Sequence, residues 1–438
     1  MTGLLATCGR EFQDWSAAYR LFSRHRFPVA EVFSVVRRSV LAELPAAAPF
    51  CVSVDDTLLP KTGPRIPGVA WRRDPLGPRF QTNFIRAQRF LQFSASLPLG
   101  NSAHRLVPIS FSHAPTPPKL SSKASPQEVH QHRQLARRTR LPLRASQQIA
   151  ALRQTLDTDS NGAHRQLRIF VDNGYTNETT LKDLPPRTGL VGRIRKDAKL
   201  YFLPDPTAAS GQRGRPRRYG APAPTPEQLR LDDSVPWIHI EANIRGNSRS
   251  LRVKVLKNLQ WRTAGLNHIL QLVVIAPLGY QLRKNSKILY RQPAFLIGTE
   301  SGLDLHSLVQ GYVQRWDIEV NFREEKTLLG VGQAKVRNPE SVESVPAFQV
   351  ASYAMLLLAS LHATQGSDQP DLLPPPKWAE KNPPRFSTQR AINQLRAEVW
   401  GRALGIDHFS DFATRAPSAT KPEKFLLPLS SAVLYAVN

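Results

Sequence analysis

Cysteine is nearly missing: the 438 residues hold two, Cys8 and Cys51. Two thiols cannot build a disulfide framework or a cysteine-rich zinc site. The eleven histidines form no His-x3-His pair, and no Cys-x2-Cys occurs, so a zinc cluster is not expected. No run of roughly 18 apolar residues exists, and the stretch from Ala351 to Leu361 is too short for a membrane span. The opening residues, MTGLLATCGREFQDW, meet acids early and have no signal-peptide core. Gly-x-Ser-x-Gly and the Walker phosphate loop are both missing, which leaves little support for serine chemistry or a nucleotide cofactor. These absences together predict a cytoplasmic protein with no membrane partner.

Acids are scarce as well. Asp plus Glu number 34 against 59 Lys plus Arg, a net charge of +25, and the pI is about 10.6. A compact enzyme for small molecules rarely carries such an excess. A polyanion explains it, because each phosphate neutralised by Lys or Arg releases counterions. The chain is too long for one ordinary core and predicts two to four structural units.

Residues 11–45 show apolar residues at helical spacing, from Trp15, Tyr19 and Phe22 to Val32, Phe33 and Val36. Phe50 to Val54 is short, apolar and β-branched and predicts a strand ending in Asp55-Asp56-Thr57. Residues 84–97 and 105–112 read as two strands around the turn Pro98-Leu99-Gly100-Asn101. A loop at 114–128 precedes a basic helical pattern at 127–157. Leu167 to Val171 predicts another strand, ending in Asp172-Asn173-Gly174. Residues 204–232 are rich in Pro, Gly and Arg and predict a mobile or extended segment. Strands return over 235–297; in Leu251-Arg252-Val253-Lys254-Val255 the alternation predicts one buried and one positive face. Helices are expected over 304–328, 345–361 and 388–403, with a Pro-rich linker before the last. No internal repeat is visible.

Two strands ending in aspartate, and a helix carrying a glutamate, are how a protein presents carboxylates to a divalent metal. Strand ends fix backbone position, and oxygen donors suit Mg2+ or Mn2+. Asp172 alone would be an ordinary turn former. The helix adds the weight. At about 100° per residue, Tyr312, Arg315, Glu319 and Lys326 fall within an arc of about 60° on one face, while Glu324 and Glu325 point elsewhere. Glu319 is then a metal ligand, and Arg315 and Lys326 are phosphate contacts. Two metals about 4 Å apart would activate a water or 3′-hydroxyl and stabilise the leaving oxygen. Separately, Gly211 to Arg218, with Arg213, Arg215, Arg217 and Arg218, is a cationic Arg-Gly-Arg-Pro hook of the kind that lies in a narrow minor groove. Lys61 is a further candidate phosphate contact. The strand's alternation leaves Asp55 and Asp56 both open as its carboxylate.

The spacing Tyr-x2-Arg-x3-Glu-x6-Lys, met by Tyr312, Arg315, Glu319 and Lys326, resembles the signature of DDE transposases of bacterial insertion sequences, the insertion-sequence-four type. VDDTLLPKTG and FVDNGY are similar to the surroundings of that family's two aspartates, and the resemblance covers about residues 50–360. It implies an α/β, RNase H-like core, a mixed sheet flanked by helices and interrupted by a β-rich insertion, with small helical N- and C-terminal regions. The divisions implied are 1–48 (helical, candidate DNA binding), 49–200 (first part of the core), 201–300 (insertion), 301–362 (second part, with the glutamate helix) and 363–438 (candidate DNA or dimer contacts). Catalytic and metal-binding roles fall on Asp55, Asp172 and Glu319, with two Mg2+ or Mn2+ ions. Asp55 is preferred over Asp56 because the family has Thr or Ser two positions after its first aspartate, as at Thr57. Trp237 and Trp261 become candidates for holding a flipped base beside a hairpin end. The implied reaction is cut-and-paste transposition by a homodimer on terminal inverted repeats and target DNA, at the bacterial nucleoid. A nuclease of the same fold, or an inactive DNA-binding derivative, is the alternative.

Overall fold

The computed structural model describes residues 14–24, 26, 28–63, 65–78, 80–99, 103–204, 218–244, 246–283, 285–365 and 386–403. In chain order the elements are α1 (Ser16–Ser23), α2 (Val29–Glu43), β1 (Phe50–Pro60), β2 (Ala70–Arg73), β3 (Phe84–Pro98), β4 (His104–His113), α3 (Pro126–Arg138), α4 (Leu141–Asp157), β5 (Leu167–Val171), α5 (Glu178–Leu181), β6 (Thr188–Arg193) and β7 (Leu200–Phe202). Then come α6 (Pro226–Leu231), β8 (Ile238–Ile244), β9 (Asn247–Trp261), β10 (Gly265–Ile275), β11 (Gly279–Tyr280), β12 (Leu289–Tyr290), β13 (Ala294–Gly298), α7 (Leu305–Gln314), α8 (Asp317–Thr327), α9 (Pro339–Gln365) and α10 (Thr388–Ala403). They form two compact units, one of residues 37–322 and one of residues 1–36 with 323–438.

The larger unit is built on one sheet of eleven strands. Its first part runs β4-β3-β1-β5-β6, with β3 antiparallel to β1 and β4, and β5 and β6 parallel to β1. That order, with helices α3 and α4 making the parallel crossover, is compatible with an RNase H-like core. The sheet continues through β13, β10, β9 and β7, all antiparallel, with β8 on β9. Phe50, Val52 and Val54 of β1 and Leu167, Ile169 and Val171 of β5 are buried completely or nearly so. Side chains alternate along a strand, so these six form one buried face of the sheet, the face away from Asp55 and Asp172. In the smaller unit the Phe22 ring meets Phe348 edge-on at 5.3 Å, and Tyr353 donates to Glu324 at 2.6 Å.

Several expectations are corrected. The 304–328 helix is two helices: α7 stops at Gln314 and α8 starts at Asp317. Between them the amides of Trp316, Ile318 and Glu319 bond three residues back, to Val313, Arg315 and Trp316. These tight turns shift the 100° phase, so the one-face wheel does not carry through from Tyr312 to Lys326. The 127–157 pattern also splits between Arg138 and Leu141: Pro142 has no amide for a helix interior and is tolerated only in a first turn, where α4 places it. Within 204–232, residues 226–231 form α6, fixed by a capping box between Thr225 and Gln228. Lys254 is not on a positive face: it is fully buried and donates to the carbonyls of Leu229, Arg230 and Asp232 at the end of α6. Strand β1 does not end at Asp55 but runs to Pro60, because β3 pairs it as far as Pro60↔Ala87. Finally, residues 339–363 of α9 are long and apolar enough to cross a membrane, although half of that stretch is buried, as in the core helix of a globular unit.

Candidate active site

The parallel register of β1 and β5 pairs Val54 with Val171. The next residues, Asp55 and Asp172, therefore emerge side by side and on the same face, since facing alternates along each strand. Below them on that face lie Cys51 and Phe170, covered by Leu308, Val309 and Tyr312 of α7. The helix comes this close because it has a glycine at the crossing: a Cβ on Gly311 would meet the Phe170 ring at 2.1 Å. The close crossing carries the end of α7, and with it Arg315, over the two aspartates.

Arg315 is buried, and its Nη1 donates to Asp55 Oδ2 at 3.1 Å. Its Nη2 lies 3.9 Å from Glu319 Oε1. Burial alone would lower its pKa, but Tyr312, Asp55, Asp172 and Glu319 outweigh that and hold the guanidinium above its ordinary value. The Tyr312 ring lies beneath it, 5.6 Å from its centre. Glu319 is placed by the first turns of α8. Asp317 meets His104 at 3.2 Å, Asn321 donates to the Leu106 carbonyl at 3.1 Å, and Ile318 and Phe322 pack on Leu106.

The acids feel one another. Burial pushes the Asp55 carboxyl up to about 7; Arg315 opposes the rise, while Asp172 and Asp56 add to it. Glu319 is raised by burial too, with Arg315 lowering it and Asp172 raising it. Asp172 also shapes its own turn: Oδ1 accepts from the Gly174 amide at 2.8 Å, and its carbonyl accepts from Thr176 Oγ1 at 2.8 Å. That turn lies tight against β6, where a Cβ on Gly192 would meet Thr176 Oγ1 at 2.1 Å.

Asp56 has separate partners. Tyr175 donates to its Oδ1 at 2.8 Å, and Arg89 pairs with Oδ2 at 3.2 Å. Tyr175 and Arg89 were not singled out from the sequence, although Tyr175 stands in the FVDNGY run.

Among the described residues no three His, Cys, Asp or Glu side chains are placed to hold one metal ion, and Arg315 lies among the acids instead. The donor set nevertheless suits a hard divalent cation. It is all oxygen, and the repulsion that Asp172 imposes on Asp55 and Glu319 is what such a cation relieves.

Residues 1–266 match the family model described as DDE superfamily endonuclease. The chain belongs to that family. No curated protein matches it. The matched segment holds Asp55 and Asp172 and ends before Glu319.

The other residues expected at the site of this endonuclease fall in several places. Lys61 is buried and lies six residues past Asp55, roughly 20 Å along the strand direction, so the structure does not bring it to the acids. Trp261, half-buried at the end of β9, lines a hollow with Asn173, Thr176 and Arg195. Trp237 has Lys254 Nζ 4.6 Å and Arg252 5.6 Å from its ring centre. Arg218 is exposed, whereas Arg213, Arg215 and Arg217 lie outside the described residues. Lys326 belongs to the smaller unit, and burial lowers its pKa.

Proposed function

We propose that this DDE endonuclease is a transposase of the insertion-sequence-four type, cutting transposon ends and joining them to target DNA by cut-and-paste. The observation that supports the reading is the meeting of Asp55, Asp172 and Glu319 around one buried arginine, although β1, β5 and α8 are far apart in the chain. Asp55, rather than Asp56, belongs to this trio, because Asp56 is already engaged by Tyr175 and Arg89. The three acids would hold two Mg2+ or Mn2+ ions, which would supply the charge that activates the attacking oxygen and steadies the leaving one. Arg315, released from the acids, grips a phosphate oxygen, with Tyr312 keeping its guanidinium oriented. Water attack breaks the phosphodiester and frees a 3′-hydroxyl. That hydroxyl then attacks a second phosphorus, and another 3′-oxygen leaves. Strands β7 to β13 are the β-rich insertion, and Trp237 or Trp261 stacks a flipped base. Lys326, Arg213, Arg215, Arg217 and Arg218 add phosphate affinity. Two protomers would pair two inverted-repeat ends.

The test is Mg2+-dependent nicking of DNA carrying the element's own ends. Glu319→Gln should abolish nicking and keep DNA binding; nicking that persists removes Glu319 from the site. The family's description names an endonuclease, which also favours a nuclease without strand transfer. A pre-cut end with a free 3′-hydroxyl separates the two: the transposase joins it to target DNA and the nuclease does not.

A further inference from the structure

A cleft of about 770 Å3 opens at Asn173, the residue after Asp172. It is lined by five cations, Arg193, Arg195, Lys196, Arg230 and Arg291, against one acid, Glu227. It shares Asn173 and Arg195 with the hollow that holds Trp261. It shares Arg230 and Tyr290 with a third hollow that holds Trp237 and Arg252. A positive path thus leads away from the paired aspartates with aromatic rings along it.

The charges divide into two sets. Arg195 is bidentate on Asp197 (2.9 and 2.9 Å), and Arg230 is bidentate on Glu227 (2.9 and 2.7 Å). Those pairs build the walls. Among the described residues no salt bridge ties Arg193, Lys196 or Arg291. Arg193 donates to the Pro293 carbonyl at 3.2 Å, and Arg291 leans over the Tyr280 ring, 5.5 Å from its centre. Lys196 and Arg291 are exposed, and the Tyr290 ring beside them is 68% exposed. Arg193 and Arg291 face no acid in an ion pair, and Lys196 acts on Asp197 and Glu227 only at longer range, both being already held by arginines. Cations so placed along a concave wall, next to an open aromatic face, match a phosphodiester chain whose bases are free to stack. A duplex has its bases already stacked and lies across such a cleft without entering it.

We propose that this cleft holds one unpaired DNA strand leading from the carboxylate site, with Arg193, Lys196 and Arg291 on its phosphates and Tyr290 under a base. The proposal rests on the reading that Asp172 belongs to the reaction centre, which fixes the strand as the one next to the cut.

The test measures binding of the full chain, in EDTA, to a mixed-sequence oligonucleotide of about 20 nucleotides and to its duplex, between about 50 and 200 mM salt. With Arg193→Gln, Lys196→Gln and Arg291→Gln combined, the slope of log Kd against log salt for the single strand should fall by about 2, three contacts at about 0.7 each. The duplex should change less. Tyr290→Ala should weaken the single strand without altering the slope. An unchanged slope overturns the proposal, as does a duplex weakened as much as the single strand. The measurement needs no metal, so it is separate from nicking by Glu319→Gln. Nicking that persists there, beside a reduced slope here, removes Glu319 from the site and leaves the cleft beside Asp172 standing.

Discussion

Asp55 and Asp56 are neighbours in one strand, yet their surroundings differ because alternation sends them to opposite faces. Burial raises the Asp56 carboxyl above its ordinary value, and its own arginine and hydroxyl, Arg89 and Tyr175, oppose the rise. Asp55 shares Arg315 with two other acids and is pushed up to about 7, first by burial. The sign of the pH effect follows. A carboxyl whose folded pKa lies above its ordinary 3.8 gives stability that is complete below about 3.8 and is lost as pH rises through about 7. The metal-free protein should therefore lose stability over that window, by no more than about 4 kcal/mol. Asp55→Asn removes the loss, so its thermal midpoint at pH 8 should exceed that of the wild type. An Asp55→Asn protein that melts lower than the wild type at pH 8 contradicts the raised carboxyl. The choice of Asp55 rested in the sequence on a family resemblance alone. The alternation was legible there, but the partners on each face were not, since Arg89 and Tyr175 approach through tertiary pairing.

At the scale of elements, the strands were the most legible part. Leu167 to Val171 is a strand with the expected bounds, because a β-branched run between turn formers has few alternatives. The α7–α8 break was not legible, since its cause is the docking of α8 on β4 through Asp317, Ile318 and Asn321. Strand β6 was missed because Thr188-Gly189-Leu190-Val191-Gly192-Arg193 has two glycines, which local propensity disfavours. Gly192 is there for the Asp172 turn that packs against it. Gly311 is the sharpest case. Alanine raises helix propensity by about 1 kcal/mol, but its Cβ would enter the Phe170 ring, and overpacking costs about 1–3 kcal/mol. Gly311→Ala should lower stability in urea unfolding by up to about 2 kcal/mol. Nicking should fall further, because α7 carries Arg315, and Phe170→Leu in the same chain should restore both. Wild-type stability and nicking in Gly311→Ala would show that the close crossing is not needed.

For the whole molecule, the excess of 25 positive charges is the trait that composition shows best and places least. The Arg-Gly-Arg-Pro run drew attention as sequence, whereas the cations of the Asn173 cleft come from the end of β6, the β6–β7 link, α6 and the β12–β13 link and meet only in the fold. The same holds for the carboxylates. One sheet brings β1 and β5 into register, and a glycine crossing brings Arg315 over them. The most direct test of the resulting site is calorimetric titration of the DNA-free protein with Mn2+. Asp55→Asn, Asp172→Asn and Glu319→Gln should each weaken binding at least about tenfold, since losing a group that merely orients a metal ligand already costs that much, while Asp56→Asn should bind like the wild type. Binding that survives all three substitutions, or that is lost in Asp56→Asn and kept in Asp55→Asn, would contradict the assignment.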